Sequence, residues 1–147
     1  MRVPALLATC LTALAGFWPA PSFTAPPALS AQDAWIRATP GVDVAAAYLT
    51  LHNGGTQPVV VSEVRSADAA AAMIHATAIV NGQSTMRPHE LRIAPGETVR
   101  LTPGGVHIML QGLKRPLAAG DEVRLVLLLQ GGGSLAVTAR VRALTDG

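Results

Sequence analysis

Cysteine is almost missing from this chain. The one thiol, Cys10, stands near the N-terminus, and nothing from residue 11 to residue 147 can form a disulfide, attack through sulfur or bind a metal as thiolate. Aromatic residues are scarce, at 3%. Phe17, Trp18 and Phe23 fall early, which leaves Trp35 and Tyr48 for the rest of the chain. Two rings make no stacking platform for nucleic-acid bases. Charged residues amount to 14% with a net charge of +2, too little for a surface that follows a phosphate backbone. No His–carboxylate arrangement or nucleophile motif stands out, so thiol and hydrolytic enzymes both lack their machinery.

Half of the 147 residues are apolar, enough for one domain with a real core. The first segment has the layout of a secretory signal. Arg2 supplies the positive end, Ala5 to Trp18 is a 14-residue uncharged run, and no charge appears between Arg2 and Asp33. That run falls short of the ~20 residues of a membrane span, which speaks against an uncleaved anchor. Small residues at Ala28-Leu29-Ser30-Ala31 offer a cleavage point before Gln32. Residues 1–31 are therefore read as a signal peptide and residues 32–147 as the exported domain, with a periplasmic address. Lipid attachment at Cys10 calls for a small Gly or Ala before it, and Thr9 is there instead.

From Asp33 onward, short alternating or β-branched runs are separated by Gly, Pro, Asn and Asp. Eight or nine strands are expected: around Ala34–Arg37, Ala46–His52, Val59–Arg65, Met73–Val80, Leu91–Ile93, Thr98–Thr102, Val106–Gln111, Val123–Gln130 and Leu135–Arg142. The alanine run Ala69–Ala72 could add a helical turn, and Met86 is expected on a loop after Asn81-Gly82. The fold class is all-β, a Greek-key sandwich or barrel.

The chemistry gathers around Leu101-Thr102-Pro103-Gly104-Gly105-Val106-His107-Ile108-Met109. In a strand, successive side chains alternate faces, so Val106, Ile108 and Leu110 turn inward while His107, Met109 and Gln111 share the outer face. An imidazole and a thioether side by side suit a soft ion, above all Cu(I). His75 and Met86 complete a pattern: His75, ten residues, Met86, twenty residues, His107, one residue, Met109. Such donors offer no oxygen cage for Ca²⁺ or Mg²⁺, and two thioethers serve zinc poorly. Without a Cys thiolate, a blue-copper electron-transfer site is excluded.

With these residues in place the sequence resembles the periplasmic copper chaperones of the PCu(A)C type, over about Asp33 to Val141. The likeness includes Ala34-Trp35-Ile36-Arg37, Ala47-Tyr48-Leu49-Thr50-Leu51, Met86-Arg87-Pro88, Pro103-Gly104-Gly105 and Leu113-Lys114-Arg115-Pro116-Leu117. The resemblance implies a cupredoxin-like β-barrel that binds Cu(I) through His75, Met86, His107 and Met109. It also implies copper delivery to the CuA-bearing subunit of cytochrome c oxidase or to a thiol-bearing assembly factor, by a monomer. The second gap is one residue short of the family's, Ala76-Thr77-Ala78 directly after His75 lacks the acidic or His residues often found there, and no Met/His-rich tail closes the chain. A metal-free exported interaction domain, and copper storage or detoxification, stay open as other functions. Met73 shares a face with His75 and reads as packing, with an extra thioether ligand as the alternative. His52 and His89 read as surface residues, His89 with some prospect of joining the site, and Trp35 reads as core. Copper competes with protons for imidazole, so affinity should weaken below the ordinary His value of about 6.5.

Overall fold

The computed structural model describes residues 28–143. They form ten strands: β1 Leu29–Ala38, β2 Val44–Asn53, β3 Val59–Ser66, β4 Ala69–Val80, β5 Gln83–Pro88, β6 Leu91–Ile93, β7 Thr98–Arg100, β8 Val106–Leu113, β9 Glu122–Leu129 and β10 Ser134–Arg142. Hydrogen bonding runs in the order β5-β4-β8-β2-β1-β10-β9-β3-β6, with β7 on β2. A further pairing of β3 with β4, at Val64 and Ala72, closes seven of these strands into a barrel. β1 and β10 run parallel, and the other pairs are antiparallel.

Alternation along each strand builds the interior. In β10, Val137, Ala139 and Val141 are buried while Thr138, Arg140 and Arg142 are exposed. Ile36, Leu51, Ile93, Ile108, Leu110, Val123, Leu125 and Leu127 have no accessible surface. At about 1.5–3 kcal/mol for each large side chain removed from water, this core carries the fold. Asn53 is buried at one end with every side-chain group engaged. Its Nδ2 donates to Gln57 O (2.8 Å) and Ile93 O (3.1 Å), and its Oδ1 accepts from Gly55 N (3.0 Å).

Two expectations need correction. The Ala69–Ala72 run is strand and gives no helical turn, because it supplies the start of β4 and pairs with both β8 and β3. Met86 lies in a strand rather than a loop. Asn81 (φ +52°) and Gly82 (φ +76°) make a two-residue hairpin turn with left-handed backbone at both positions, which returns the chain alongside β4 as β5. β1 opens at Leu29, which is wholly buried.

Candidate metal centre

The register of β4 against β8 decides where the candidate ligands stand. His75 lies directly opposite His107, and Met73 directly opposite Met109. Opposed residues of an antiparallel pair project to the same side. Met73, His75, His107 and Met109 therefore form two adjacent rungs on the outer face of the barrel. On the far side of β4, β5 pairs Thr77 with Met86 and His75 with Pro88. Met86 thus shares this face, diagonal to His75, on the sheet's edge strand.

The two imidazoles are 6.1 Å apart between ring centres and nearly perpendicular, at 87°. A ring centre lies about 3.2 Å from a metal on its nitrogen, so two rings sharing an ion can be up to about 6.4 Å apart. The observed spacing suits a shared ion. His107 is only 4% exposed although it stands on the outer face of the barrel. Neighbouring strands wall it in: Tyr48 of β2 lies 6.4 Å away between ring centres, and Tyr48 in turn is stacked by Trp35 at 4.5 Å. Trp35 is half-buried rather than core, on the outer face beneath the Arg142 guanidinium at 4.7 Å. Burial pushes the Tyr48 phenol above its usual range, with Arg37 pulling weakly the other way.

Hydrogen bonding sets which nitrogens are free. His107 Nδ1 lies 3.1 Å from Gly105 O; a carbonyl only accepts, so Nδ1 carries the proton and the Nε2 lone pair is available. His75 Nδ1 is buried with no hydrogen-bond partner. An unsatisfied buried nitrogen costs about 1–3 kcal/mol, a cost that a ligand can remove.

The thioethers sit at graded depth: Met109 is half-buried, Met73 is 38% exposed and Met86 is 55% exposed. Met73, read as packing, is partly exposed on this face opposite Met109. Ala46, opposite Met109 on β2, is small and leaves space beside that sulfur. Among the described residues, no three His, Cys, Asp or Glu side chains gather as a metal site. Any ion held here must therefore draw on sulfur. His52 is engaged elsewhere, its Nδ1 2.9 Å from Thr98 Oγ1. His89 follows the last residue of β5, is exposed, and donates its backbone N–H to Ile74 O at 2.9 Å. Sequence reasoning did not connect Tyr48 with the site; its place among the outward residues of β2 was the available signal.

The family described as "Putative lipoprotein LpqE-like" matches residues 29–141. The chain belongs to the LpqE-like family. A relative named "Putative lipoprotein Lxx21020", from Leifsonia xyli subsp. xyli (strain CTCB07), is 36% identical over 111 residues, covering 74% of this chain. The match spans 66% of that relative's length, just under two thirds. Among solved structures, the Cu(I) form of DR1885 from Deinococcus radiodurans is similar, with 31% identity, a TM-score of 0.63 and coverage of 82% of this chain and 81% of that one. The apo PCuAC domain of PmoF1 gives a TM-score of 0.69 at 25% identity, over 79% of this chain and 94% of that domain. The LpqE-like chain thus has the cupredoxin-like β fold of PCuAC domains. Cys10 lies outside the described residues.

Proposed function

We propose that this protein is an exported, periplasmic Cu(I) chaperone, a carrier rather than an enzyme, which holds the ion with His75, Met86, His107 and Met109. In this reading it delivers copper to the CuA site of cytochrome c oxidase or to one of its assembly factors. The observation that carries the proposal is the pair of opposed imidazoles, one with an unpartnered buried nitrogen, bordered by thioethers and by no carboxylate. Neutral donors leave the site with only the +1 charge of the cargo, which is tolerable beside a half-buried surface. Thioethers are soft, uncharged ligands that match Cu(I) and yield to a stronger one. The most exposed sulfur, Met86 on the edge strand, is where an incoming thiol or imidazole of the recipient would displace a ligand. Support also comes from the similarity to DR1885, whose solution structure was determined with Cu(I).

A Cu(I) competition titration tests the binding. One equivalent should bind the parent, and the His107→Ala/Met109→Ala variant should lose it; uptake by the variant equal to the parent's would end the proposal. Delivery is tested in a deletion strain grown in limiting copper. Oxidase activity should fall there, whereas intact oxidase activity with reduced copper tolerance would assign the protein to storage or detoxification.

A further inference from the structure

Apart from Met1, the chain has three methionines, Met73, Met86 and Met109, and all three stand on the outer face of β4, β5 and β8 around the two imidazoles. Met73 has no place in the interior, and a thioether left 38% exposed serves packing poorly. The register shows what else it can do. Met73 is directly opposite Met109, one rung from the His75–His107 pair, where facing Cβ atoms lie about 4.5–5.5 Å apart.

Met86 stands differently. It is two strands from Met109 and, through its partner Thr77, four residues along β4 from Met73. Two thioethers on one ion allow roughly 13 Å, taking about 4 Å from Cα to sulfur and about 2.3 Å from sulfur to metal. Met73 and Met109 meet this limit with ease.

We propose that Met73 is a further copper-binding thioether, which faces Met109 and joins His75, Met86, His107 and Met109 around the ion, with Met86 the exchangeable sulfur at the exposed edge. This inference rests on the copper-carrier reading and specifies how that site is divided. Entry and exit would then occur along one side, from Met86 towards the imidazoles, without the inner sulfurs letting go.

The test uses the exported protein labelled with ¹³C-methyl methionine, in which Met73, Met86 and Met109 each give a methyl signal. The first equivalent of Cu(I) should shift the Met73 and Met109 methyl signals. Met73→Leu keeps size and apolarity at an exposed position, so the apo protein should melt as the parent does, and its Cu(I) affinity should drop about tenfold. A Met73 methyl signal that stays in place while Met86 and Met109 move, with Met73→Leu binding as tightly as the parent, would overturn the inference and leave the copper-carrier reading standing. Failure of the parent to take up Cu(I) would overturn that reading, and this inference with it.

Discussion

Two places in this barrel bury polar side chains, and they are built on opposite principles. At one end, Asn53 is wholly enclosed, and both its amide nitrogen and its carbonyl oxygen have backbone partners, in the loop after β2 and at Ile93 of β6. On the outer face, His107 is almost as enclosed and His75 keeps a buried nitrogen with no partner. The first arrangement is complete within the chain and can only stabilise it. The second is incomplete, and an external electrophile would complete it. A buried polar group is therefore informative through what it lacks: satisfied, it belongs to the fold, and unsatisfied, it points to a ligand.

Exchanging the roles by mutation tests this contrast. The largest effect is expected at Asn53→Leu, which removes three hydrogen bonds and strands the buried Ile93 carbonyl. Stability should fall by about 3–4 kcal/mol in chemical denaturation, with Cu(I) affinity of the folded fraction unchanged. His75→Leu should do the reverse. Cu(I) affinity should drop about a hundredfold, near 3 kcal/mol, while apo stability shifts by less than about 1 kcal/mol, because no hydrogen bond of His75 Nδ1 is lost. If His75→Leu destabilises the apo protein as much as Asn53→Leu does, the distinction collapses.

A smaller effect is expected at Met86→Leu. Transfer of copper to a thiol acceptor should slow about tenfold, with a lesser change in affinity; transfer as fast as the parent's would remove Met86 from the exchange step. The smallest effect concerns Tyr48, the one tyrosine in the chain. Burial raises its phenol above the ordinary value of about 10, so the folded state favours the neutral form. That contribution is fully present below pH 10 or so and is lost as pH rises beyond it, because the unfolded chain ionises first. Ultraviolet titration of the phenolate should show a midpoint above that of denatured protein, and coinciding midpoints would place Tyr48 in water.

Much of this was legible along the chain, because side-chain alternation is a local property. Ile108 and Leu110 inward with His107 and Met109 outward follow from period-two geometry alone, as does the clean pattern of β10. The Asn81-Gly82 turn also marked the strand return that carries Met86 into β5, a hairpin signal whose second arm was missed. Other features were invisible for a physical reason. Alanine's helix propensity is a weak prior, and at Ala69–Ala72 the pairing with two neighbouring strands overrides it. Trp35 has the composition of a core residue, and only the position of β10 shows that Arg142 covers it.

The sequence by itself determined the class of fold, the donor chemistry and the spacing of four candidate ligands, since these depend on residue type and on neighbours a few positions away. Only the tertiary structure decided that His75 faces His107, that Met73 faces Met109 and that one imidazole nitrogen is buried without a partner. Strand register is a long-range choice made by barrel closure and core packing, and shifting it by one residue would turn every one of these side chains to the other face.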